Sequence, residues 1–424
     1  MTAPRRPNRT ATILAIALGV VALSMTARTA ALVDEVGLDG LARQGDLRAF
    51  LTAADVLSGP YRGGLYDLDQ QFQTQRLRFP DLEHRGQLLA FANPPFVAVL
   101  LSPLAELSTR DATLAVAALN LTLSGLCCWL LGLLLAGRPT QQRLVVCLAL
   151  LGFLPLWVCL WQGQLSLVLL VASLAFLAGL KNGWDFSAGL ALAGLLIKPQ
   201  LLPLPLLLLL VQGRGKALAG LALGSAGAFA LGLTAGPSAT EQWLALGTSL
   251  VEGSGHSGLY PGRMFTIRSA LFAVLGREAA DLVQQGWLAA VVVLTAALSI
   301  HWRKRPPSSL PSPTEGHPQH LLTSWSPVSQ GSMALAGALL VSPHAYTHDL
   351  LLVVPAAAVL VCRAIDRGAH PGSGNGPVRA AALISGIVGL WLLPWLPLIG
   401  PIPPGLAAAA VLTFVLVLLA SRER

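Results

Sequence analysis

Charge is what this chain has least of. Only 11% of its 424 residues are Asp, Glu, Lys or Arg, where a soluble domain carries about 25%; a globular protein with a solvated surface is excluded. Cysteine is sparse too. Cys127, Cys128, Cys147, Cys159 and Cys362 all lie in or beside apolar runs, which argues against a disulfide framework or a thiolate metal cluster. The chain has no H-E-x-x-H, no G-x-S-x-G and no phosphate-binding G-x-x-x-x-G-K-[ST] loop, so zinc peptidases, serine hydrolases and P-loop NTPases have no foothold. No basic patch interleaved with aromatics suggests nucleic acid. No 20–50-residue repeat and no matched halves appear.

What the chain has is long apolar runs. Hydrophobic residues make up 54%, and Ala11–Val33, Ala112–Ala136 and Gly405–Ala420 approach the length that crosses hydrocarbon. Lipid cannot satisfy open backbone groups, so the spans must be helices. The reading is an all-α polytopic membrane protein. The first run is too long for a signal peptide and lacks a small-x-small cleavage site, so it is expected to be a retained span. Further spans are expected at about 94–107, 112–136, 144–160, 165–180, 186–211, 216–235, 281–301, 326–342, 347–362, 378–398 and 402–420, about twelve with the first.

The net charge of +8 reports orientation in such a chain. Arg5, Arg6 and Arg9 put residues 1–10 in the cytoplasm. Arg214, Lys216, Arg303, Lys304, Arg305, Arg363, Arg367, Arg379, Arg422 and Arg424 then also fall inside, while Arg138 and Arg143 fall outside, against the rule. The 94–107 run is short enough to be re-entrant. Residues 34–93 form a first outer loop with nine of the chain's 20 acids (Asp34, Glu35, Asp39, Asp46, Asp55, Asp67, Asp69, Asp81 and Glu83). A second outer loop covers 236–265, with Trp243, Glu252, His256, Tyr260 and Arg263. Residues 303–325 are a Pro/Ser-rich cytoplasmic linker, and 363–424 hold the C-terminal helices and a short cytoplasmic tail.

Several polar positions could carry chemistry. Asp46 opens a segment whose Leu47, Phe50, Leu51, Ala54 and Leu57 share one helical face; it reads either as a helix cap or as a base held at the membrane surface. Asp67-Leu68-Asp69 has the form of a metal-binding D-x-D but sits in turn-rich sequence, after Gly64, where turn chemistry accounts for it. Trp161-Gln162-Gly163-Gln164 breaks two apolar runs, as a hairpin turn or a cavity wall. Lys198 lies far from either end of its apolar run. A cation at that depth costs a few kcal/mol and usually faces a cavity or a partner; snorkelling is the other reading. Pro199, Pro203 and Pro205 would kink the helix beside it. Ser342-Pro343-His344-Ala345-Tyr346-Thr347-His348-Asp349 joins two spans on the outer side, either as interfacial residues or as a phosphate or metal site.

Their order resembles a known family. A first span, an outer loop opening on Asp46, Gly63-Gly64-Leu65-Tyr66-Asp67, Pro94-Pro95, Gly163-Gln164, Lys198-Pro199 and Ser342-Pro343 with His348 together resemble glycosyltransferase family 87, over about residues 11–360. These are polyprenyl-phosphate-sugar-dependent, mannosyltransferase-like enzymes of the GT-C architecture. The chain departs from the family in having Phe50-Leu51 where an aromatic pair is common, Asn93 before Pro-Pro, and Thr347 before the histidine. The resemblance implies a GT-C-like bundle with its catalytic membrane domain over 11–362. It also implies an inverting transfer of a hexose, with mannose the family expectation, from a polyprenyl-phosphate donor to a lipid or glycan acceptor. The site would lie on the extracytoplasmic side of a bacterial-type plasma membrane. In that scheme Asp46 is the catalytic base, Lys198, His348 and His344 bind the donor phosphate, and Arg48, Tyr66, Asp67, Asn93 and Gln164 line the substrate cavity. No cofactor beyond the lipid-linked co-substrate and no metal is expected. A transporter or flippase for a lipid-linked substrate is the alternative, since an intramembrane lysine among broken helices suits that class as well.

Overall fold

A computed structural model of the chain describes residues 9–60, 62–251, 261–303, 326–368, 376–400 and 402–421. Arg5, Arg6, Tyr61, Glu252, His256, Tyr260, the linker from Lys304 to Trp325, and the last three residues lie outside them. The chain is 83% helix, with no strand among the described residues. In chain order the helices are α1 (Arg9–Gln44), α2 (Leu47–Ser58), α3 (Leu68–Arg78), α4 (Pro95–Leu101), α5 (Thr109–Leu134), α6 (Thr140–Leu151), α7 (Leu154–Gln162), α8 (Ser166–Asn182), α9 (Asp185–Leu192), α10 (Pro203–Val211), α11 (Gly215–Leu233), α12 (Ala239–Val251), α13 (Ile267–Leu275), α14 (Ala280–Arg303), α15 (Ser326–Val341), α16 (Val354–Gly368), α17 (Gly376–Leu392), α18 (Leu396–Ile399) and α19 (Pro404–Ala420). Local sequence explains many of the ends. Pro95 occupies the first turn of α4, where a missing N–H costs nothing. Ser108 caps α5 by accepting from the Asp111 amide at 3.1 Å, with the Asp111 carboxylate in the first turn, where the helix dipole favours it.

Among the described residues, five helices are long and apolar enough to cross a membrane: Thr12–Gln44, Thr109–Leu134, Gly215–Leu233, Ala280–Arg303 and Thr347–Ala364. The bent pair α6–α7 makes a sixth if it is one span. This is an integral membrane protein. The remaining apolar helices are shorter, so the twelve expected spans do not each correspond to one long helix.

Hydrogen bonds sort the helix termini into two ends of the bundle. At one end the Lys181 ammonium, at the close of α8, donates to the Leu134 carbonyl at the close of α5 (2.6 Å). Arg214 meets Asp185 at 2.7 Å, Gln212 meets Gln330 at 2.6 Å, and Arg363 donates to the Leu418 carbonyl and the Ser329 hydroxyl. At the other end Trp287 donates to the Val341 carbonyl, the Phe265 amide to the Ala345 carbonyl, and Thr113 touches the Leu38 carbonyl.

This arrangement changes two readings made from sequence. Asp185 and Arg214 flank the 186–211 run and bond to each other, so the run does not pass once through the bundle. It turns back, with Lys198 at its tip between two 3₁₀ turns (Ala193–Ile197 and Pro199–Leu201). Close packing fixes its first leg, because a Cβ on Gly189 would lie 1.7 Å from the Ala217 carbonyl oxygen. The second concerns 94–107. Arg78, on α3, donates to the Ala105 and Leu107 carbonyls, while Asn93 at the other end bonds the Ile197 carbonyl. Both ends of the segment therefore stay at one end of the bundle, beside α3 and the tip that carries Lys198. With that segment held back, the turn carrying Arg138 follows α5 to the end that holds Lys181, Arg214 and Lys216.

The segment between α1 and α4 is folded. On α2, Leu47, Phe50, Leu51, Ala54 and Leu57 are buried, as their shared face predicts. Two glutamines on α3 then act as splints. Gln71 accepts from the Phe91 amide (2.8 Å) and donates to the Leu65 and Phe91 carbonyls. Gln75 accepts from the Leu89 amide and donates to the Leu89 carbonyl and the Thr52 hydroxyl. Each satisfies buried backbone groups that no helix or sheet supplies with partners. Arg78 grips Asp55 through two 2.7 Å bonds.

Candidate active site

The site begins where α1 gives way to α2. Asp46 occupies the N-cap position of α2, yet its side chain makes no capping bond. The carboxylate turns instead toward α7 and accepts a hydrogen bond from the Gln164 amide. Two glycines allow this approach. A Cβ on Gly45 would lie 2.8 Å from the Gln162 Cα, and one on Gly163 would lie 2.7 Å from the Leu47 Cβ. Gly163 also ends α7 in the left-handed region, at φ 65°, where a residue with a Cβ is strained.

The same turn reaches the second half of the site. Gln162 Oε1 lies 3.1 Å from His348 Nδ1, and His348 Nε2 lies 3.2 Å from Lys198 Nζ. Lys198 forms an ion pair with Asp349 Oδ1 at 2.5 Å. Asp349 accepts further bonds from the Ser166 hydroxyl (3.0 Å) and the Tyr346 amide (3.0 Å). Asp349 is 1% exposed and the Lys198 side chain 13%. Such a pair survives burial because each member is bonded by the other and by neighbours. A continuous chain of polar contacts thus runs from Asp46 through the Gln162–Gln164 turn to His348, Lys198 and Asp349.

His344 stands beside this chain, with its Nε2 3.0 Å from Gln200 Nε2. Burial, and then the Lys198 charge, pull its pKa from 6.5 down to about 4, so it is neutral near pH 7 and its Nε2 accepts from the Gln200 amide. Arg268 also contributes to this field; it stacks over Phe272 (5.4 Å) and Trp287 (6.0 Å).

The other candidate positions divide. Arg48 is two residues beyond Asp46 and feels its charge; burial lowers its pKa while Asp81 and Asp46 oppose the shift. It donates to the Gln87 carbonyl at 2.9 Å. The Tyr66 hydroxyl donates to the Asn93 carbonyl at 2.7 Å, and Asn93 Nδ2 to the Ile197 carbonyl at 3.2 Å, so both brace the tip of the Lys198 hairpin. Asp67 is exposed and spends its carboxylate on its own helix, capping α3 through the Asp69 and Gln70 amides. Sequence reasoning missed Ser166 and Gln200 as members of the cluster, named Gln162 only within a hairpin turn or cavity wall, and placed no partner opposite Lys198. The available signal was Asp349, one residue beyond His348 in a chain where acids are scarce. All five cysteines are free.

Compared with known proteins, the sequence profile of glycosyltransferase family 87 matches residues 91–314, more than half of the 424-residue chain. That stretch contains Asn93, Gln162, Gln164, Ser166, Lys198 and Gln200; Asp46, His344, His348 and Asp349 lie outside it. No curated protein and no solved structure matches the chain.

Proposed function

Given that the chain belongs to glycosyltransferase family 87, and is therefore a membrane glycosyltransferase, we propose that it moves a hexose, mannose by family expectation, from a polyprenyl-phosphate donor to a lipid or glycan acceptor at the outer face of a bacterial-type plasma membrane. The observation that carries this reading is the single turn, Gln162–Gly163–Gln164, that bonds a carboxylate on one side and the Lys198 cluster on the other.

The chemistry needs those two groups. The acceptor hydroxyl is a weak nucleophile until a base takes its proton. Asp46 takes that proton as the oxygen attacks the anomeric carbon from the face opposite the phosphate. The bond from the anomeric carbon to the phosphate oxygen breaks with inversion, and both electrons leave on the phosphate. Its charge develops in a site of low polarity, where a fixed cation is worth most. Lys198 meets it, with His344 and His348 beside it. One carboxylate suffices, since no covalent sugar intermediate has to form. In this reading Gln164 holds the base and Tyr66 and Asn93 brace the tip that carries Lys198, Arg48 lies two residues beyond Asp46, and Asp67 caps α3.

The orientation accords with this. In the proposed GT-C-like arrangement α1, α5, α6–α7, α8, α9, α10, α11, α14, α15, α16, α17 and α19 would each make one passage between the two ends of the bundle, about twelve. The basic turns after α5, α8 and α10 then all face the cytoplasm.

The test is sugar transfer in membranes from a panel of radiolabelled polyprenyl-phosphate sugars, wild type against Asp46→Asn. Transfer should fall about 10³-fold while donor binding is retained. A transporter would move the labelled lipid across the membrane and form no glycosidic bond in either protein.

A further inference from the structure

Lys198 is the cation on which the proposed reaction turns, and its donors can be counted. An ammonium has three N–H donors and no acceptor. One is taken by Asp349 at 2.5 Å, and the contact with His348 Nε2 at 3.2 Å uses a second. Because lysine can only donate, His348 Nε2 must be the acceptor in that contact. The imidazole proton then sits on Nδ1, and the atom facing Nδ1 at 3.1 Å is Gln162 Oε1, an acceptor. Each of these three contacts then pairs a donor with an acceptor, and only this tautomer allows it.

We propose that Gln162 is a positioning residue: by accepting the Nδ1 proton it holds His348 as a neutral acceptor for Lys198, so that the Lys198 ammonium, fixed by Asp349 and His348, presents its one remaining N–H to the donor phosphate. This rests on the phosphate-binding role of Lys198 proposed above and gives His348 a different task from contacting the phosphate itself. Without Gln162 the ring can take the other tautomer. Nε2 would then point a proton at a cation, and Lys198 would lose one of its two anchors. The same turn holds Asp46 through Gln164, so base and cation are set from one element. The charged and titratable groups that face His348 are Lys198 from the hairpin tip, Asp46 from the start of α2, Asp349 and Tyr346 from its own segment, and His344 beyond them; Cys159 of α7 lies near Lys198 and Asp349.

The test uses the full chain, ¹⁵N-histidine labelled, in phospholipid vesicles, with His348→Asn to assign the signal. The wild-type His348 spectrum should be that of the Nδ1–H tautomer. In Gln162→Leu it should shift toward Nε2–H, and transfer should fall about 10- to 100-fold, the usual range for residues that orient a ligand from behind. A merely structural residue would leave the tautomer in place. An Nε2–H signal in the wild type or an unchanged tautomer in Gln162→Leu overturns the proposal. If the wild type transfers no sugar at all, the enzyme reading fails, and the tautomer measurement still decides this one.

Discussion

Lys198 and Asp349 show how far single residues could be read. A lysine inside an apolar run announces a cavity or a partner, and both the position and the demand were legible. The partner was not, because 151 residues separate the two and periodicity carries no information across that gap. Removing one member leaves a buried charge alone, so Asp349→Asn should destabilise the protein by about 3 kcal/mol, read as a lower unfolding midpoint in detergent. Lys198→Met with Asp349→Leu should recover most of that stability while remaining inactive. His344 supplies a pH dependence. The unfolded chain takes up a proton near pH 6.5, the folded one only near 4, so stability is at its full value above the first figure and declines as pH falls toward the second. His344→Gln should flatten thermal midpoints across that window.

At the scale of elements, the amphipathic α2 was legible because three apolar turns on one face leave little choice. The Asp46 alternatives were not separable from sequence, since an N-cap position looks the same whether or not its side chain caps. The Lys198 hairpin was hidden for a related reason: an apolar run reads alike whether it crosses once or folds back, and Pro199, Pro203 and Pro205 mark a break without giving its angle. The contact between α2 and α7 depends on Gly163. Gly163→Ala places a methyl against Leu47 in a left-handed backbone, which should cost about 1–2 kcal/mol of strain and displace Asp46. Transfer should drop at least tenfold, with the helical circular dichroism unchanged. Gln71→Leu strands the Leu65 carbonyl and the Phe91 amide and carbonyl, and should make the outer loop a preferred protease site in intact vesicles.

At the scale of the molecule, membrane class followed from composition alone, but the paths of 94–107 and 186–211 did not. Hydropathy cannot tell a short re-entrant helix from a short span, and each error reverses everything after it. The misplaced arginines were the visible symptom. Cysteines introduced at Arg138 and Lys216 should be labelled from the same side of sealed vesicles, and one at Glu83 from the other; labelling of Arg138→Cys alongside Glu83→Cys would refute this orientation.

The two legs of the Lys198 hairpin have a further consequence. The first, Asp185–Ile197, has 13 residues, and at 1.5 Å per residue it stands about 20 Å tall, beside a hydrocarbon layer of about 30 Å. The lipids next to it must shorten, or water must dip to meet the lysine. Either way the leaflet would thin at this point, and the phosphate of the proposed lipid-linked donor could reach the ammonium while its lipid tail stays in hydrocarbon. Reconstitution into bilayers of increasing acyl-chain length should therefore slow the reaction steadily, as the thinning becomes costlier to maintain.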